Sequence, residues 1–143
     1  MGNKTLEVMR PMGARRSFRY AVFDFDGTLS LIREGWQGIM IPYFASELAA
    51  APGAAGRTYE DIYEEAKEFI FVNTGKQTIY QCIELAQRIS ALGGIAKDPQ
   101  EYKDEYVRRL LRAVDGRRTG LASGACTPED WLVPGSQQLL AML

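Results

Sequence analysis

Two aspartates one residue apart, Asp24 and Asp26, stand in the run Ala21-Val22-Phe23-Asp24-Phe25-Asp26-Gly27-Thr28-Leu29-Ser30. The residues before them are strand formers, and Phe18 to Phe23 is continuously apolar apart from Arg19, as in a strand covered on both faces. Such a strand has no structural use for carboxylates at its carboxyl end. In open α/β sheets that end is where ligands and catalytic groups gather. A turn permitted by Gly27 would bring both carboxylates into one small volume. Like charges so placed raise each other's pKa unless a cation or a shared proton compensates. Magnesium, which favours carboxylates and phosphate oxygens, suits the pair.

The pattern Asp-Phe-Asp-Gly-Thr-Leu behind an apolar strand resembles the first motif, DxDGT, of the haloacid dehalogenase-like (HAD) hydrolases, a superfamily dominated by magnesium-dependent phosphatases. Every position of the motif is matched. The resemblance implies hydrolysis of a small phosphorylated substrate, such as phosphoglycolate or a sugar phosphate, in two steps through an aspartyl-phosphate. Asp24 would be the nucleophile. Asp26 would protonate the leaving oxygen and then deprotonate the attacking water. Magnesium would be held by Asp24 and by Asp26. Turn amides from Phe25 to Gly27 would hold phosphate oxygens, and Thr28 would steady Asp26.

Composition agrees by exclusion. The chain has no histidine, which removes Ser-His-Asp and Cys-His chemistry and leaves acid/base work to carboxylates. Its two cysteines, Cys82 and Cys126, form no CxxC pattern, so a zinc site is not expected. Cys82 falls on an apolar helix face. A length of 143 residues, 46% hydrophobic and 24% charged, suits one globular domain. A net charge of −1 gives no global attraction to nucleic acid or an anionic membrane. No window approaches a membrane span, and the basic N-terminus lacks the apolar run of a secretory signal. The expectation is a cytoplasmic protein with neither nucleic acid nor membrane as partner.

The elements that must position the motif are mostly helical. Residues 1–16 read as a flexible basic tail and 17–30 as the strand and its catalytic loop. A first helix spans about Glu34 to Ala50, with Trp36, Ile39, Met40, Tyr43, Phe44 and Leu48 at helical spacing and a kink or break expected at Pro42. Residues 51–56, rich in Ala, Gly and Pro, read as a flexible connector. Thr58 opens a second helix in a capping-box-like arrangement with Asp61, burying Ile62, Ala66, Phe69 and Ile70. Thr74 with Gln77 reads as the cap of a third helix with the stripe Ile79, Cys82, Ile83, Ala86 and Ile89. Asp98 caps a fourth with Pro99 at its first position. Tyr102, Tyr106, Leu110 and Val114 line one side, and Gly116 closes it. Asp104 with Arg108 and Glu105 with Arg109 are spaced as i,i+4 pairs. The Arg108-Arg109-Arg112 cluster then reads as a solvated helix end.

Four amphipathic helices after one strand can pack as a bundle but cannot complete a sheet. In the family this chain resembles, of the phosphoglycolate-phosphatase type, a helical (type C1) cap follows the first strand. The fold expected is therefore α/β with an inserted all-α cap, the chain itself being mostly α. On that reading residues 31–118 are cap, and 119–143 are a return linker and the first core helix after it, with a short helical turn at Thr127–Asp130. Arg33 would face the site opening and attract an anionic substrate, or stand as a solvated hinge arginine. Lys76, between two cap helices, would contact the substrate, or be an exposed lysine at a helix start. The lysine and final acidic residues of the family's later motifs have no counterpart in the sequence. The chain is thus expected to be an N-terminal portion with little activity alone, its unpaired strand inviting a homodimer or the missing half. A phosphosugar mutase and a non-catalytic cap or interaction module are the alternatives.

Overall fold

The computed structural model describes residues 19–143; the tail and Phe18 lie outside the described residues. The protein is mostly helical. Helix α1 runs from Gln37 to Ala49, α2 from Tyr59 to Val72, α3 from Thr78 to Ala91, α4 from Pro99 to Ser123 and α5 from Ser136 to Met142. Short 3-10 turns occupy Pro52–Ala54 and Pro128–Trp131.

Helices α1 to α4 pack on one another, α1 chiefly on α2 and α3 chiefly on α4. Each sets an apolar stripe into one core. Phe44 of α1 stacks on Phe69 of α2 with ring centroids 6.0 Å apart, and Tyr43 meets Phe44 edge-on at 5.5 Å. Ile62, Ala66, Phe69 and Ile70 of α2 and Tyr102, Tyr106, Leu110 and Val114 of α4 are buried, as their spacing requires. On α3 the buried set is Gln81, Cys82, Leu85 and Ile89, so the stripe is rotated toward Leu85 and Ile83 is only half-buried. Burial pushes the Cys82 thiol up to about 11, with Lys103 pulling weakly the other way. It is an inert core residue.

Thr58 accepts from the Asp61 amide and caps α2. Asp98 accepts from the Gln100 amide at 2.7 Å while Glu101 accepts from the Asp98 amide at 3.2 Å, capping α4. Residues 51–56 are not a loose connector: Ala51 and Ala54 are buried, and the Gly53 amide donates to the Leu92 carbonyl at 2.8 Å. A Cβ on Gly53 would stand 2.8 Å from that same oxygen, so only glycine fits.

Several expectations are corrected. The apolar segment before Asp24 forms no strand; Tyr20 and Val22 are exposed, at 90% and 97%. No strand exists among the described residues to pair with it, and unladdered backbone turns to water. Helix α1 runs unbroken through Pro42, whose absent N–H would have met Gly38 in the exposed first turn. Thr74 and Gln77 do not cap α3. The Thr74 hydroxyl donates back to the Ile70 carbonyl at 3.1 Å, and Gln77 makes no side-chain cap bond. Helix α4 does not stop at Gly116 but continues to Ser123, where Gly124 (φ 74°) terminates it. Gly116 costs only about 1 kcal/mol inside a helix, and Arg117 anchors the added turns. The arginine cluster is consequently mid-helix. Arg109 pairs with Glu105 at 2.6 Å and lies 4.2 Å from the Tyr43 ring centroid, Arg108 also pairs with Glu105, and Asp104 accepts from Gln100 rather than from Arg108.

Phe44→Ala, at a site with no exposure, should lower unfolding free energy by about 3–5 kcal/mol in urea denaturation. Burial raises the Glu65 carboxyl, but hydrogen bonds and charge from Arg57 and Arg88 outweigh it and hold the group below its ordinary 4.5. A carboxyl lowered in the folded state stabilises above its unfolded value, and that contribution disappears as pH falls through the folded value. Glu65→Gln should therefore destabilise at neutral pH, with the difference from wild type closing as pH falls below 4.5 in pH-resolved urea melts.

Candidate functional site

The Asp-Phe-Asp-Gly-Thr loop is held by its own backbone. The Phe25 carbonyl accepts from the amides of Leu29 and Ser30, both at 2.9 Å, and the Gly27 amide donates to the Ser30 carbonyl at 2.8 Å. Gly27 adopts φ 76°, which only glycine takes without strain. The Gly27 amide, expected to hold a phosphate oxygen, is thus already committed within the loop.

A second set of bonds fastens the loop to the chain's return. The Leu31 amide donates to the Trp131 carbonyl at 2.7 Å, and the Val133 amide to the Leu29 carbonyl at 3.0 Å. Arg117 from the end of α4 donates to the Ile32 carbonyl at 2.6 Å, its guanidinium 4.6 Å from the Trp131 ring centroid. The segment entering the bundle and the segment leaving it run side by side next to the aspartates.

The side chains then divide. Asp26 accepts from Arg33 Nη1 at 3.1 Å, with about half of each side chain exposed, so the pair is open to exchange with solvent or an anion. Thr28, expected to steady Asp26, is instead directed at Asp24, its hydroxyl 3.5 Å from Oδ2. The chain reverses at Gly27, which carries Thr28 back toward the earlier aspartate.

Asp26 and Arg33 line a cleft of about 240 Å³, and the opposite wall comes from the α2–α3 turn and α4: Thr74, Gly75, Lys76, Tyr106 and Leu110. Trp36 and Gln81 also line it. Three residues singled out in the sequence, Asp26, Arg33 and Lys76, therefore meet across one opening although 50 positions separate the first from the last. Gly27 lines an adjoining cavity with Asp26 and Arg33. Asp24, Phe25 and Thr28 are exposed and are not part of the cleft wall.

The α4 spacing places Tyr106 in an apolar stripe, and the α3 stripe leaves Gln81 out. A tyrosine where a phenylalanine would fill an apolar stripe was the available signal. Burial pushes the Tyr106 phenol up to about 12, with Arg33 pulling down and Cys82 and Asp26 adding to the rise. It stays a neutral hydroxyl at the cleft wall. Gln81 is buried and donates to the Ile70 carbonyl at 3.1 Å. No group of three or more Asp, Glu, His or Cys side chains that could hold a metal ion occurs among the described residues, and no described helix is long and apolar enough to cross a membrane.

Comparison with protein-family models, curated proteins and solved structures finds no match to this chain.

Arg117→Ala should loosen the junction without unfolding the bundle. Amide hydrogen exchange at Leu31 and Val133 should quicken by about tenfold, the loss of one charge-assisted bond, while exchange in the middle of α2 stays at its wild-type rate.

Proposed function

We propose that the chain carries the nucleophile loop and helical cap of a HAD-type phosphomonoester hydrolase acting on a small phosphorylated metabolite. What carries the reading is the convergence of Asp26, Arg33 and Lys76 on one cleft, added to the intact Asp-Phe-Asp-Gly-Thr run. The paired entry and exit segments also suit a bundle inserted into another fold at a single seam.

On this proposal Asp24 attacks phosphorus in line with the ester oxygen. The P–O bond to the alcohol breaks as the new P–O bond to the carboxylate forms. Asp26 delivers a proton to the departing alkoxide. It then takes a proton from the water that cleaves the aspartyl-phosphate, releasing inorganic phosphate and restoring Asp24. Arg33 lies within reach of both Asp26 and the cleft, so a phosphate there competes with the carboxylate for the guanidinium. Magnesium is the ion an Asp24–Asp26 pair would share. Among the described residues two carboxylates, one of them paired with Arg33, do not complete a magnesium shell, and no step is placed on the ion.

A phosphosugar mutase begins with the same aspartyl-phosphate and differs in returning the phosphoryl group to substrate. A non-catalytic cap module would keep the cleft and lose turnover.

Titration with inorganic phosphate in the presence of magnesium should move the amide resonances of Asp26, Arg33 and Lys76, and Arg33→Ala should weaken that binding by about tenfold. Hydrolysis of an aryl phosphate by this chain should stay close to the uncatalysed rate, since among the described residues no lysine or further acidic ligand joins Asp24 and Asp26 at the loop. Phosphate binding that maps instead to the mid-α4 arginines would remove the support for the proposal. Turnover that is abolished by Asp24→Asn would establish the activity and refute the expected need for further groups.

A further inference from the structure

Asn73 ends α2 and is 6% exposed, an unusual place for a carboxamide unless both its ends are satisfied. Its Nδ2 donates to the Phe69 carbonyl at 2.9 Å and to Glu84 Oε2 at 2.6 Å, and its Oδ1 accepts from Lys76 Nζ at 2.9 Å. The reverse amide orientation would set the carbonyl against two acceptors and the NH₂ against an ammonium, so these partners fix it. Glu84 is held in turn by Arg88 at 2.8 Å, Arg88 reaches Glu65 at 2.9 Å, and Glu65 pairs with Arg57 at 2.7 Å. Arg88 also lies 4.8 Å from the centroid of the buried Phe69 ring. Six side chains thus form one unbroken line from the start of α2 to the cleft, and Lys76 is its last member.

The charges in the line alternate until Asn73, which hands Lys76 a neutral acceptor instead of a carboxylate. Among the described residues Lys76 has no acidic partner, whereas Arg33 across the cleft is engaged with Asp26. A lysine ordinarily loses much side-chain freedom on binding an anion. Held by Asn73, its ammonium has two further N–H donors to offer, and part of that ordering is already complete.

Resting on the proposed reading of the cleft, we propose that Asn73 is a positioning residue. It fixes the Lys76 ammonium as the receptor for a second anionic group, a carboxylate or phosphate, on the substrate remote from the phosphoryl group at the aspartate loop. The line through Glu84, Arg88 and Glu65 braces Asn73 against the bundle core. Substrates would then be organophosphates charged at both ends.

The test compares two probes on the full chain, methylphosphonate with one anionic group and phosphonoacetate with two, by isothermal titration. Wild type should bind phosphonoacetate about tenfold more tightly than methylphosphonate. Lys76→Ala should abolish that preference, and Asn73→Ala should bring the ratio down to the Lys76→Ala level while methylphosphonate binding holds. Lysine side-chain NMR reads the positioning directly: Lys76 ammonium protons should exchange faster in Asn73→Ala than in wild type. If Asn73→Ala fails to fold, Glu84→Ala, which frees the Asn73 amide, is read the same way. An unchanged ratio, an equal loss for both probes, or unchanged Lys76 exchange would overturn the proposal. Failure of both probes to bind wild type would overturn the anionic reading of the cleft itself.

Discussion

The backbone seam between residues 29–32 and 131–133 is the constraint on which the rest of the arrangement depends. Leu31 to Trp131 and Val133 to Leu29 are only two hydrogen bonds, yet they close a loop of about a hundred residues, and loop closure costs little more for a long segment than for a short one. Because the bundle's first and last elements meet at the seam, the aspartate loop is tied to the chain's return, with Asp26 at the cleft. Arg117 adds a third tie from within α4. Without that convergence Asp26 and Lys76 would belong to unrelated surfaces.

The cleft itself is a by-product of helix packing put to polar use. Trp36, just before helix α1, and Leu110 of helix α4 line it, and the α2–α3 turn adds the Lys76 ammonium and the Thr74 hydroxyl. A site of this kind needs a rigid frame, because its charged groups are half-exposed and gain little from each other alone. The frame is the aromatic core of Tyr43, Phe44 and Phe69, reinforced where Arg88 crosses Phe69 and Arg109 crosses Tyr43.

Much of this was legible in residue spacing. The inward faces of α2 and α4 and their caps at Thr58 and Asp98 follow from local rules, since every partner lies within a few positions. What escaped were features decided by distant neighbours. The apolar run before Asp24 reads as a strand by composition, but a strand exists only through another strand. Gly116 reads as a terminator, but Arg117 finds Ile32 and Trp131 and the helix continues. Gly53 and Ala54 read as a loose connector, but Leu92 closes over them. The meeting of Asp26, Arg33 and Lys76 was suggested only by analogy, and the role of Asn73 not at all, because its acceptor Glu84 is eleven residues away on the next helix.

The make-up of the cleft wall has a consequence for its acidity response. The chain has no histidine, and burial drives the Tyr106 phenol at the cleft wall further from neutrality. The protein thus brings no imidazole switch to the neutral range. A phosphate monoester does change charge there, its second proton leaving near pH 6. Mild acidification therefore changes the charge of the guest that this opening would capture.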